Sequence, residues 1–128
     1  MNAVLLDSHV VLWLMDDSPP LRPSAREAIT SAATVSCSAA TFWELSIKSL
    51  NGSLQLPADF TREVLRAGLV ELPVSSDHVA ALDPAALPHR DPFHHMLVAQ
   101  ARTEGLALLT ADTAILSAGL PFTVDARK

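Results

Sequence analysis

The sequence holds one cysteine, no excess of positive charge and no long apolar run. Cys37 alone excludes an internal disulfide and every multi-cysteine zinc or iron–sulfur site. A reducing compartment fits it. Nine Lys and Arg face fourteen Asp and Glu, a formal net charge of −5. That argues against a polybasic coat for nucleic acid and leaves a local basic rim, or phosphate contact through a bound cation. No apolar run approaches the ~20 residues that cross a bilayer. Asp7 interrupts Ala3-Val4-Leu5-Leu6 at once, so no signal peptide is expected. The expected setting is the cytoplasm, with no membrane contact. There is no Gly-x-Ser-x-Gly elbow of a nucleophilic hydrolase and no phosphate-binding Gly-x-x-x-x-Gly-Lys-Ser/Thr loop. Repeats, linkers and low-complexity tails are also lacking.

What is present is a core-forming composition, with 49% hydrophobic and 18% charged residues. A chain of 128 residues suits a single domain over 1–128. It can bury roughly two thirds of its unfolded surface. Residues 3–6 read as a buried strand, and 9–15 as a largely buried helical segment ended by Asp16-Asp17-Ser18-Pro19-Pro20. A helix over 24–33 takes Ser24 as its cap and Glu27 three residues on. Residues 34–37 read as a strand, and a helix over 39–50 follows Ser38 as cap, with Asn51-Gly52 as its stop. Further helices are expected over 58–67 and 76–82, with a strand over 69–72 between them. Prolines at 84, 88 and 92 mark 83–92 as an exposed connection. A helix over 92–104 starts at Asp91-Pro92. Then come a strand over 106–109, a short helix over 112–117 and a last strand over 122–124. Alternating strands and helices imply an α/β fold of three layers, α/β/α, with a mostly parallel central sheet covered on both faces.

The position of the acids carries the functional argument. Asp7 follows the first strand directly, and Asp112 follows the 106–109 strand after Thr110-Ala111. In a parallel sheet both open on the carboxyl edge, where such folds place their ligand crevice. Asp91 stands at a helix start. Glu44 lies inside the mostly apolar Thr41-Phe42-Trp43-Glu44-Leu45, where an isolated carboxylate is costly to bury. Taken singly, the aspartates read equally as caps or turn residues, and Glu44 as a solvent-facing acid. Together they would repel one another and require a cation. Oxygen ligands favour Mg²⁺ or Mn²⁺ over soft metals. Such a site suits phosphodiester chemistry.

Four segments resemble PIN-domain ribonucleases of the VapC toxin type. They are Leu5-Leu6-Asp7-Ser8-His9, Ser38 through Lys48 with Trp43-Glu44, His89-Arg90-Asp91-Pro92-Phe93 followed by Met96 through Ala101, and Leu108-Leu109-Thr110-Ala111-Asp112. Their order spans almost the whole chain. The resemblance implies that Asp7, Glu44, Asp91 and Asp112 surround Mg²⁺ or Mn²⁺, with Asp7 the firmest ligand. It implies endonucleolytic cleavage of RNA, often tRNA, leaving 3′-hydroxyl and 5′-phosphate ends. It also implies a homodimer and a cognate VapB-type antitoxin, with operator DNA bound only through the antitoxin complex. An inactive PIN-like scaffold that binds RNA or protein is the alternative. A receiver-like phospho-acceptor fits strand-end acids alone but not the four segments.

One departure stands out. Members often continue Asp-Pro-Phe with Asp-Arg, where this chain has His94-His95. The spacing places His95 and Asp91 on one helix face. Either histidine could touch substrate phosphate or turn metal preference towards Mn²⁺ or Zn²⁺. Among Arg22, Arg26, Lys48, Arg90 and Arg102, the neighbours of the acids, Lys48 and Arg90, are the preferred RNA-backbone contacts; ion pairing is the other reading. Ser8 and Thr110 are candidates near the metal, or plain cap and strand-end hydroxyls. Trp13, Phe42 and Trp43 read as core or interface side chains rather than base-stacking platforms. Cys37 reads as a small buried hydrophobe.

Overall fold

The first apolar run is the centre of the sheet. In the computed structural model, which describes residues 2–128, β1 (Ala3–Leu6) lies between β2 (Thr34–Ser38) and β4 (Ala107–Thr110). β3 (Val70–Leu72) and β5 (Thr123–Asp125) form the edges, giving the order β3-β2-β1-β4-β5. Every pairing is parallel. The register sets Leu6 beside Cys37 and Leu109. Because neighbouring side chains point to opposite faces, Val4 and Leu6 enter one core while Leu5 enters the other.

Among the described residues seven helices cover those faces: α1 (Ser8–Asp16), α2 (Pro23–Ser31), α3 (Ala39–Leu50), α4 (Phe60–Arg66), α5 (Ser76–Ala80), α6 (Pro92–Glu104) and α7 (Thr113–Ser117). Val10 and Val11 of α1, Ile29 of α2, Leu45 of α3 and Val64 of α4 join the Val4–Leu6 core. Leu97, Val98 and Ala101 of α6 and Ile115 of α7 close the opposite face over Leu5 and Leu108. The three-layer α/β/α arrangement expected from the alternating pattern is therefore what the chain forms. Among the described residues, no helix is long and apolar enough to cross a membrane.

The differences from the sequence reading are local. Ser24 does not cap α2: the helix starts at Pro23, after Arg22, with no side-chain cap. Proline presets the first helical turn, and its missing amide removes one of the donors that a helix start otherwise leaves without a helical partner. Ser38 caps α3 as expected, its hydroxyl accepting from the Ala40 amide (3.1 Å). The 83–92 connection is not wholly exposed. Leu87 is buried against α6, and His89 is half-buried. Trp43 is not a core residue; it is 64% exposed and meets Phe93 edge-on.

Cys37, next to last in β2, has no exposed surface, and burial first, then the Glu71 charge, raises its pKa to about 12. Only the thiolate reacts readily. Native protein at pH 8 should resist alkylation by iodoacetamide, and urea-unfolded protein should label fully, as read by intact mass. Rapid labelling of folded protein would contradict the buried placement.

Candidate functional site

The sheet order reverses at β1 and β4. The chain moves outward from β1 through β2 and β3, then returns to place β4 on β1's other side. Open α/β sheets hold their ligands at such a switch point, outside the carboxyl ends of the strands. Asp7 leaves β1 and Thr110 ends β4 at that spot, with the Asp7 amide donating to Leu109 O (2.9 Å).

Asp7 is 1% exposed and fully engaged. Its Oδ1 accepts from the Ser8 amide (2.7 Å), capping α1, and its Oδ2 accepts from the Thr110 hydroxyl (2.6 Å). The Ser8 hydroxyl also approaches Oδ1 (3.4 Å). Thr110 has a second task, since its oxygen accepts from the Asp112 amide (3.0 Å). A single hydroxyl thus ties the two aspartates of neighbouring strand ends.

Asp91 and Asp112 repeat the pattern. Asp91 Oδ1 caps α6 by accepting from the Phe93 and His94 amides (2.9 and 3.3 Å). Asp112 Oδ2 caps α7 by accepting from Ile115 N–H (2.9 Å). The cap and the site are therefore the same carboxylates.

The first turn of α6 brings His94 into their midst. Its Nε2 lies 3.6 Å from Asp7 Oδ2, and its Nδ1 lies 3.3 Å from Asp91 Oδ2 and 3.8 Å from Asp112 Oδ2. His89 arrives from the connection before α6. Its Nε2 lies 3.3 Å from Asp112 Oδ2 and 3.4 Å from His94 Nδ1. His89, His94 and Asp112 each offer a ligand atom to one common point, so the cluster is capable of holding a divalent metal ion.

That geometry has a match in sequence. The profile of the PIN domain covers residues 4–119. The chain belongs to the PIN-domain family. The solved structures that share its fold include these three. One is a toxin–antitoxin complex from Klebsiella pneumoniae, with TM-score 0.68 and 19% identity over 96% of this chain and 97% of that one. Another is VapBC2 from Rickettsia felis bound to a fragment of its promoter DNA, with TM-score 0.68 and 12% identity over 95% and 97%. A third is FitAcB from Neisseria gonorrhoeae, with TM-score 0.60 and 21% identity over 96% and 97%. No curated protein sequence matches the chain.

Within this PIN domain, the other candidate residues separate into groups. Glu44 is 5% exposed on α3, and its Oε2 accepts from Lys48 Nζ (2.9 Å). Its Oε1 has no hydrogen-bond partner. Glu44 makes no direct bond to the aspartates. Lys48 is engaged by that acid rather than free for a phosphate. Arg26 is also committed, binding Leu21 O, Ser18 O and Asp17 (2.7, 2.7 and 2.6 Å), and Arg102 lies over the Phe122 ring (5.7 Å). Arg22 and Arg90 are exposed. His95 does not join the cluster; its Nε2–H donates to the His89 carbonyl (2.7 Å) and so fixes the segment that carries His89.

His89 is the residue that sequence reasoning passed over. It stood in the His-Arg-Asp-Pro-Phe segment, yet no helical spacing applies to a residue outside the helix. The available signal was a histidine two residues before a helix-capping aspartate, close enough for the Asp91 amide to donate to its Nδ1 (3.3 Å).

Burial opposes ionisation of Asp112, but the Ile115 amide, the His89 hydrogen bond and the His94 and His89 charges together hold its carboxyl below the usual range. A carboxyl lowered from its unfolded value of about 3.9 stabilises the fold above that pH, and the contribution fades as pH falls through the folded value. The stability deficit of Asp112→Asn in metal-free urea melts should therefore narrow as pH falls below about 4; a deficit that widens on acidification would contradict this. Thr110→Val keeps the shape but removes the donor to Asp7 and the acceptor for Asp112 N–H. It should cost about 1.5–3 kcal/mol in the same assay, and a change near zero would show the hydroxyl to be dispensable.

Proposed function

We propose that this PIN domain, taken as one unit over 1–128, is a divalent-metal-dependent endoribonuclease held in check by a small antitoxin. The observation that carries the reading is that Asp7, Asp91 and Asp112 each approach the His94 ring within 3.8 Å at the switch of strand order. The orphaned Glu44 Oε1, buried and pointing at no donor, adds a second reason to expect a cation or an ordered water nearby. The resemblance of the chain to VapC-type toxins supplies Mg²⁺ or Mn²⁺ and RNA as the expected cofactor and substrate.

In this reading Asp91 and Asp112 would hold the cation, directly or through water, and Asp7 would act at the same edge, directly or by way of His94. A bound divalent cation supplies an acidified water and charge stabilisation at the scissile phosphate. Glu44, with one oxygen unpartnered, would be the acid available to orient such a water, while Lys48 neutralises its other oxygen. Ser8 and Thr110 hold the Asp7 carboxylate in one orientation. Exposed Arg90, beside Asp91, meets the RNA backbone.

The antitoxin follows from the solved toxin–antitoxin relatives and from an uncovered apolar strip. Trp43, Ile47 and Leu50 lie at helical spacing along α3, and Leu50 is 88% exposed. A groove of about 650 Å³ lined by Leu50, Leu56, Phe60 and Leu65 adjoins it. A homodimer, cytoplasmic residence and operator binding through the antitoxin complex belong to the same proposal.

One observation favours a second reading, a scaffold that binds without cutting: His94 stands among the three carboxylates, where relatives often carry an acid. Cleavage of a total small-RNA pool separates the two. Antitoxin-free protein with Mg²⁺ or Mn²⁺ should give discrete fragments with 5′-phosphate ends, abolished by EDTA. Asp91→Asn keeps the α6 cap but lowers the ligand charge, and should slow cleavage by about 100-fold or more. Folded protein that leaves the pool intact with every metal would favour the scaffold.

A further inference from the structure

We infer that the metal centre of this chain is a zinc-class site, built by His89 Nε2, His94 Nδ1 and Asp112 Oδ2, and that it prefers Zn²⁺ to Mg²⁺. This rests on the reading that the carboxyl edge of the sheet holds a divalent cation, and does not require RNA as the substrate.

The three atoms form a nearly regular triangle with edges of 3.3, 3.4 and 3.8 Å. Three ligands on a tetrahedral ion with bonds of about 2.0–2.1 Å stand about 3.3 Å apart. The cluster therefore requires little rearrangement to close on such an ion. Two imidazoles and one carboxylate, with one position left open, are also a donor set that zinc uses in catalysis. Mg²⁺ favours oxygen ligands and an octahedral shell rich in water. Imidazole favours the later divalent ions.

The surroundings complete the assignment. When His94 binds through Nδ1, its proton sits on Nε2, which lies 3.6 Å from Asp7 Oδ2, so a small ring movement would bring the two into hydrogen-bond range. Asp7 is itself held by Ser8 N–H and the Thr110 hydroxyl. A carboxylate behind a ligating imidazole fixes its tautomer and raises its basicity. Asp7 thus acts as a positioning residue for His94 in this centre. His95 does the same for His89 by binding its carbonyl. Binding through His89 Nε2 places that ring's proton on Nδ1, and the 3.3 Å contact from the Asp91 amide is given up. Asp91 Oδ2 lies 3.3 Å from His94 Nδ1, at the rim of the same cluster.

Isothermal titration of the full chain, stripped of metal, with Zn²⁺ and separately with Mg²⁺ tests the assignment. The expected result is one Zn²⁺ per chain, bound at least about 100-fold more tightly than Mg²⁺. His89→Ala and His94→Ala should each weaken Zn²⁺ by 10-fold or more, with folding checked by circular dichroism, while His9→Ala at an exposed position leaves it unchanged. His94→Asp restores an oxygen donor and should move selectivity back towards Mg²⁺, which keeps the test open should an alanine variant unfold. Asp7→Asn should weaken Zn²⁺ by about 10–100-fold without losing the one-to-one stoichiometry. Mg²⁺ bound as tightly as Zn²⁺, with both histidines dispensable, overturns the assignment and leaves a metal-dependent nuclease intact. No binding of either ion overturns both. Histidine-dependent Zn²⁺ binding without RNA cleavage upholds the assignment and counts against the nuclease.

Discussion

Electrostatic repulsion among three aspartates at one sheet edge is the constraint to which the rest of this structure answers. Asp7, Asp91 and Asp112 come from separate parts of the chain, and each approaches the same imidazole within 3.8 Å. Carboxylates gathered round one ring repel one another unless something positive or hydrogen-bond-donating meets them. The fold supplies that compensation in layers. Amides at the starts of α1, α6 and α7 cap one oxygen of each acid. A buried threonine hydroxyl ties the most deeply buried of them. His94 and His89 provide ring N–H groups, and positive charge when protonated, in the remaining space.

The same economy explains why the edge is placed where it is. Parallel strands end together, so residues following β1 and β4 become neighbours although more than a hundred positions separate Asp7 from Thr110 in the bond that joins them. Helices that leave those strand ends need caps, and aspartate is a preferred cap. A carboxylate has two oxygens, and in Asp7 and Asp91 one serves the helix while the other faces the cluster. Structural and chemical roles are thus not rivals for these residues. Glu44 differs. It sits in mid-helix, relies on Lys48 for one oxygen and leaves the other without a partner.

Much of this was legible in the sequence. The apolar runs at 3–6 and 106–109 marked the paired central strands, and Asp7 and Asp112 just beyond them marked the edge. Asp91-Pro92 marked the start of α6. What escaped was what tertiary contact alone decides. His89 lies in a proline-rich connection, where no periodicity says which way a ring turns. His95 was paired with Asp91 by helical spacing, yet its ring turns back to the His89 carbonyl. Lys48 beside Glu44 could serve RNA or the acid, and its burial partner, not its spacing, resolves the choice. Trp43 in an apolar helical run looked like core, but α3 buries Phe42 and Leu45 and turns Trp43 outward.

The most direct test of the metal centre is anomalous diffraction from crystals grown with Zn²⁺, recorded on either side of the zinc absorption edge. The expected result is one strong site bonded to His89 Nε2, His94 Nδ1 and Asp112 Oδ2 at about 2.0–2.2 Å, with Asp7 behind His94. A zinc ion bound elsewhere, or an acidic edge that stays empty of metal while the protein is saturated, would contradict it.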